Sequence, residues 1–313
     1  MKTPKNMKKT IFAKFFALTF LVSLSVSAVA AQKKRPATQQ KAKTVVFAVL
    51  NEGSVIEPIG LIDKGELVAT SGGDDDAAKL SIFSKTYYKP KTVYKLVFGG
   101  VDAGTVTVKS NDPKSDCGKN MAQVSFVSPK AKLKENVMGL ATNAAVKKGT
   151  GVRRLPTATE RTEIESLVRA EFIKNKVSAS VAKNLKYHNL TALDVDADGK
   201  AEMVGSFWVE PSATERAMLF FIADKGANGK YAFGYSDFGA MKKEEMMEGS
   251  EISMVDSGVY HELLLDAMEY DGDTTAEIFT YVQSLEGAGF NAYSRRGGKW
   301  VKAFEGSNYH CGF

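Results

Sequence analysis

Laid over one another at an offset of 75 positions, two stretches of this chain coincide: LDVDADGKAEMVGSF from residue 193 and MEYDGDTTAEIFTYV from residue 268. Asp194, Asp196, Asp198 and Glu202 fall on Glu269, Asp271, Asp273 and Glu277 without a gap. Each copy then runs through an apolar stretch to a turn and an aromatic strand, GKYAF in one and GKWVKAF in the other. A repeat of this kind constrains the fold strongly, because neighbouring copies of one supersecondary unit bury their faces by stacking. The apolar stretches have no polar face: Met203, Gly205 and Phe207 interleave with Val204 and Trp208, and Ile278 and Val282 with Phe279 and Tyr281. Strands apolar on both faces belong in sheets covered on both sides.

The acidic residues open each copy. Carboxylates at positions 1, 3, 5 and 9, with a main-chain carbonyl at position 7, gather oxygens around a tight turn, and a hard cation such as Ca²⁺ takes about six to eight of them. In the first copy these are Asp194, Asp196, Asp198, the carbonyl of Lys200 and Glu202, with Gly199 easing the turn. The second offers Glu269, Asp271, Asp273, the carbonyl of Thr275 and Glu277, but Thr274 stands where the first has glycine. Position 12 is Gly205 rather than glutamate, so this is not an EF-hand. Calcium is the cofactor expected, more strongly in the first loop. The plain alternative is that Asp and Gly make good turns and the charges face water.

This loop, D-x-D-x-D-G-x-x-E before a hydrophobic strand, resembles the FG-GAP repeats of integrin α-subunit propellers and the related VCBS-type repeats of bacterial surface proteins. The resemblance covers residues 193–238 and 268–306 and is more specific in the first copy. It implies a four-stranded blade per copy, a structural calcium at Asp194, Asp196, Asp198 and Glu202, and ligand recognition elsewhere on the surface. Two copies cannot close a propeller, which needs four or more blades. Either further blades have diverged, or two blade-like sheets stack on one another and on a helix.

That helix announces itself at Thr157, where Glu160 three residues on completes a capping box after Pro156. Ile164, Leu167, Val168 and Phe172 follow at helical spacing, which predicts a helix over about 158–175. Upstream, Thr92 to Phe98, Ala103 to Lys109 and Met121 to Val127 alternate as strands, with turns at Gly72-Gly73, Gly99-Gly100 and Asp112-Pro113. The expected architecture is mainly β with one α-helix: a small β domain over 44–130, read as a sandwich or open barrel, then a connector over 131–156, then helix and stacked blade-like antiparallel sheets, a partial propeller, over 157–313. The run Asp74 to Asp76 reads as a solvated loop tip.

Residues 1–30 have the zones of a secretory leader: five lysines without an acidic residue, an apolar run from Phe15 to Val29, and an A-x-A ending at Ala30. The run is too short to span a bilayer, and no later segment is apolar enough, so no membrane span is expected after cleavage. Residues 31–43 read as a disordered basic linker. Those leader lysines account for most of the net charge of +6; without them 37 basic residues face 36 acidic ones, and from residue 45 onward the balance turns negative. Nucleic-acid binding loses its electrostatic support there. An exported chain folds where disulfides persist, and Cys117 and Cys311 are its only cysteines, so they are expected to pair.

No residue set defines a reaction. His261-Glu262 begins H-E-x-x-H but lacks the second histidine, G-x-S-x-G is absent, and the glycines at 149–151 complete no phosphate-binding pattern. His188 reads as a partly exposed edge residue. Trp208, Tyr231, Trp300 and Tyr309 could form a platform for a sugar or peptide, but core packing explains them as well. The reading is an exported, periplasmic or extracellular, non-catalytic binding or structural protein with an envelope protein or polysaccharide partner. A secreted hydrolase acting on envelope or extracellular polymer is the alternative.

Overall fold

The computed structural model describes residues 42–70, 77–149 and 151–311. The leader, the linker up to residue 41, Gly72-Gly73 and Asp74 to Asp76 lie outside the described residues. Strand β1 (Thr44–Leu50) is buried along both faces because it belongs to two cores. Its odd residues Val45, Phe47 and Val49 meet Ile56, Tyr94, Leu96, Val106 and Val124. Its even residues Val46, Ala48 and Leu50 meet Leu263, Leu265, Phe279 and Phe290 from the other end of the chain.

The first core fills a barrel built from β1, β2 (Val55–Asp63), β4 (Val93–Val97), β5 (Asp102–Ser110), β6 (Ala122–Val127) and β7 (Gly139–Thr142), with β3 (Glu66–Val68) added along β2. Strand order β1-β7-β4-β5-β6-β2 is sealed by pairing β1 with β2, so the ring is closed rather than open. Closure satisfies the backbone groups that an edge strand would leave unpaired. Helix α1 (Ala77–Tyr87) arises where only strands and turns were expected, and sets Phe83 and the following Tyr88 against Phe47, with Tyr87 beside Phe83. The stretch 131–156, read as a connector, contributes β7, which joins β1 to β4.

Beyond the barrel lie β8 (Arg153–Arg154), α2 (Ala158–Lys174), α3 (Ala179–Ala182), β9 (Lys186–Leu193), β10 (Glu202–Ser212), β11 (Glu215–Lys225) and β12 (Tyr231–Lys242). After α4 (Ser253–Asp256) come β13 (Glu262–Met268), β14 (Glu277–Gln283), β15 (Gly287–Arg296) and β16 (Lys299–Tyr309). These make a five-stranded sheet, β12-β11-β10-β9-β8, and a four-stranded sheet, β13-β14-β15-β16, with antiparallel neighbours throughout. The repeat is thus structural: β9–β12 and β13–β16 are two four-stranded meanders, each with the acidic loop between its first and second strands.

Helix, five-stranded sheet, four-stranded sheet and barrel follow one another as layers. Ile164, Val168 and Phe172 of α2 pack on Met203, Phe207 and Val209. The opposite face, Val204, Phe220 and Ile222, meets Ile278, Tyr293 and Trp300. Strand β14 then turns Phe279 toward the barrel. Of the two arrangements open from sequence, stacking of two sheets on each other and on the helix is the one found. Gly205 is required by this packing, since a Cβ there would lie 2.5 Å from the Phe221 ring. The capping box forms, with Glu160 N donating to Thr157 Oγ1 and Thr157 N to Glu160 Oε2. Arg154 forks onto the Glu160 carboxylate and holds its pKa down to about 2.

Two ties join first and last elements. Asp266, fully buried, accepts from Gly99 N and Gly100 N at 2.9 Å each and from Arg153 Nη1 at 2.6 Å, and the Arg153 guanidinium lies over the Phe98 ring. Gly99 and Gly100 have φ of 68° and 73°, which lets both amides face one carboxylate. Cys117 and Cys311 are disulfide-bonded across 194 residues.

Candidate metal centre

The loops β9–β10 and β13–β14 share their internal wiring. Asp196 Oδ1 accepts from Asp198 N and Asp198 Oδ1 from Lys200 N; 75 residues on, Asp271 Oδ1 accepts from Asp273 N and Asp273 Oδ1 from Thr275 N. Glu202 Oε2 takes Val195 N and Glu277 Oε2 takes Tyr270 N, both at 3.2 Å. The backbone turns left-handed at matching places, Ala197 and Gly199 in one loop, Gly272 and Thr274 in the other. Thr274 therefore adopts the conformation that Gly199 supplies in the first copy, and the missing glycine does not change the turn.

Three carboxylates converge in each copy, though not the full set read from sequence. Asp194, Asp196 and Glu202 bring ligand atoms within 4.8 Å of one another, and so do Glu269, Asp271 and Asp273. Each cluster could hold a metal ion. Asp198 is instead exposed and pairs with its neighbour Lys200 at 3.3 Å. Glu277 lies beneath the second group, 1% exposed, and burial pushes its pKa up to about 8. Glu202 is its counterpart, 4% exposed and raised to about 7 by the same cause. At position 1 both copies leave one buried oxygen without a hydrogen-bond partner, Asp194 Oδ1 and Glu269 Oε2. A buried carboxylate oxygen without a donor is costly, so such a pair of atoms asks for a cation or water.

The copies differ in what faces them. Arg295, at the end of β15, donates from Nη1 to Asp196 Oδ2 at 2.7 Å and from Nη2 to Glu202 Oε1 at 3.1 Å and to Asp224 Oδ1. A metal in the first loop must displace that guanidinium. Among the described residues no salt bridge is made to Glu269, Asp271, Asp273 or Glu277, so no guanidinium stands in the second group as Arg295 does in the first. Arg295 and Asp224 went unnoticed in the sequence because neither is one of the acidic positions that the two copies share. The only local hint was a basic pair, Arg295-Arg296, before the Gly297-Gly298 turn.

No family model, curated protein or solved structure matches this chain. Geometry alone must therefore carry the reading. Beside the loops lies a cavity of about 380 Å³, walled by Asp194, Glu269 and Thr274 and by barrel loops at Gly99 to Val101 and Val146 to Gly149. It contains neither tryptophan nor tyrosine.

The other singled-out residues fall elsewhere. Trp208, Tyr231 and Trp300 are each 4% exposed in sheet cores while Tyr309 is exposed, so the four form no shared platform. His188 is partly exposed, in a bulge of β9 beyond the two residues that pair with β8, with its ring 4.4 Å from that of His261. His261 is 1% exposed, and burial followed by the neighbouring His188 lowers its pKa to about 3. His310 pairs with buried Glu57 at 2.8 Å rather than with Cys311, whose sulfur is in the disulfide.

Proposed function

We propose that this chain is an exported, non-catalytic binding or structural module whose repeat is of the FG-GAP type and whose second acidic loop holds a calcium ion. The observation that carries the reading is the second loop itself: Glu269, Asp271 and Asp273 converge without a cationic partner among the described residues, and Glu269 Oε2 is buried with no donor. All the donors are hard oxygens, which suits calcium better than a transition metal. Glu269, Asp271 and Asp273 would hold the ion and brace the β13–β14 turn. The carboxylates are spent on their own backbone turns beside a cavity without aromatic residues, which favours bracing over polymer hydrolysis. The leader-like first 30 residues and the disulfide support export, and a protein or polysaccharide partner at the cell envelope follows from that placement.

Thermal unfolding of residues 31–313 in millimolar calcium and in chelator tests the reading. An ion at about 100 times its dissociation constant adds roughly 2.7 kcal/mol, and each kcal/mol moves the midpoint of a domain this size by roughly 2 to 4 °C. A rise of several degrees that Asp271→Asn with Asp273→Asn abolishes is the expected result; equal midpoints in both buffers would refute it.

A further inference from the structure

We propose that Arg295 is the resident cation of the first acidic loop, supplied across the sheet interface by the second repeat, so that this loop is braced without metal. The guanidinium meets Asp196, Glu202 and Asp224, three carboxylates from two separate segments of the five-stranded sheet. Its flat face lies 4.8 Å from the Trp300 ring centroid, and the Trp300 indole N–H donates to Asp224 Oδ1 at 2.9 Å. The arginine is thus oriented by its stacking partner, and its fork is matched to acceptors on more than one side. A lysine could not reproduce this, because a single ammonium lacks both the planar face and the spread of donors.

The oxygens that Arg295 takes are the ones a metal would need. Asp196 Oδ2 and Glu202 Oε1 already receive its donors, leaving Asp194 Oδ1 as the unpartnered oxygen of that cluster. One free oxygen does not make a site for an ion that wants about six to eight. The same layered order explains why the second loop differs. The four-stranded sheet presents an arginine to the loop of the five-stranded sheet. The barrel, next in the stack, presents a backbone turn to the loop of the four-stranded sheet: a Cβ at Gly65 would lie 3.7 Å from the Asp271 carbonyl oxygen. Among the described residues the first loop meets an arginine of the following layer, whereas no cation of the barrel makes an ion pair with the second.

The brace itself does not rest on the calcium reading; the contrast between the loops does, and two measurements separate them. In chelator, urea unfolding of the wild type, Arg295→Met, Asp196→Asn and the double variant reads the coupling of the pair. The expected result is a clear loss for Arg295→Met and a much smaller effect of Asp196→Asn once Arg295 is gone; additive losses would overturn the proposal. With terbium as a calcium surrogate, emission excited through tryptophan reports the first loop, because Trp300 lies beside it. The wild type should give no Trp-sensitised signal that depends on Asp194, whereas Arg295→Met should gain one that Asp194→Asn removes. An Asp194-dependent signal already present in the wild type would overturn the proposal. Should Arg295→Met fail to fold, Arg295→Lys serves, since it keeps the charge but cannot bridge three carboxylates. If no variant binds terbium at either loop, the calcium reading fails while the coupling in chelator still decides the role of Arg295.

Discussion

Replacing Cys117 and Cys311 by serine removes the covalent tie across 194 residues. In the chain-entropy account a loop of that length restricts the unfolded chain by roughly 5 kcal/mol, more than most single side chains contribute. Little of this should show as native rearrangement, because the tail has other holds on the barrel and on its own sheet. Asn308 Nδ2 donates to Pro58 O at 2.9 Å, His310 Nε2 pairs with Glu57 Oε1 at 2.8 Å, and His310 N donates to Glu286 O at 2.6 Å. The loss therefore acts mainly through the unfolded ensemble, which expands once it is unlinked. Two signatures follow in urea or thermal unfolding of the double serine variant. The midpoint should fall by roughly 10 to 20 °C at 2 to 4 °C per kcal/mol, and the denaturant slope should rise because more surface becomes exposed on unfolding. A stability loss under about 1 kcal/mol with an unchanged slope would refute the entropic reasoning. Loss of native near-ultraviolet dichroism before any denaturant is added would show instead that the three tail contacts cannot hold β16 in place.

The remaining predictions concern buried charge. His261 has a folded pKa of about 3, well below its ordinary value of 6.5, so its contribution is complete above pH 6.5 and is lost as pH falls toward 3, by up to about 1.4 kcal/mol per unit. Glu277 has the opposite sign: raised from 4.5 to about 8, it stabilises the metal-free fold fully below pH 4.5 and progressively less as pH rises to 8. The two slopes oppose each other between pH 4.5 and 6.5, so unfolding free energies measured in chelator from pH 3 to 8 should show the acid limb below that interval and the alkaline one above it, with His261→Gln flattening the first and Glu277→Gln the second; unchanged profiles would contradict the assignments. Arg153→Met leaves the fully buried Asp266 carboxylate without its charge partner and should cost about 3 to 5 kcal/mol. Adding Asp266→Asn should recover part of that loss, and a double variant as weak as the sum of the singles would show that the pair is not coupled.

What could be read from sequence was local or repeated. The capping box at Thr157 and Glu160, the two-faced strands β10 and β14 and the 75-residue offset all leave periodic marks within a few residues, and each is present in the fold. The cysteine pair was legible because two cysteines allow one pairing. Barrel closure was not, since β7 is four residues of Gly, Leu, Ala and Thr whose pairing with β1 joins residues 90 to 96 positions apart. Helix α1 hid among turns: its buried Leu80, Ser84 and Tyr87 are too few and too mixed to mark a stripe. In the candidate site the loop carboxylates were found, and of the positions read as ligands Asp198 and Glu277 lie outside the two groups of three that converge. Arg295 could not be found, because the reason for it, a cluster of carboxylates on a neighbouring sheet, exists only after stacking.

The layering also bears on the order in which the molecule can be assembled. The barrel's outer wall, with Val46, Ala48, Leu50, Ile59 and Leu140, is covered by a sheet that follows it far along the chain, whose own two faces need the barrel on one side and the preceding sheet on the other. A chain growing from its amino terminus must therefore carry a bare hydrophobic wall until β13 to β16 have been made. Cys311 can reach Cys117 only when β16 arrives, so the covalent tie records that the wall has been covered. A chain cut short before β13 would keep its barrel strands yet expose the surface that makes partly folded intermediates aggregate.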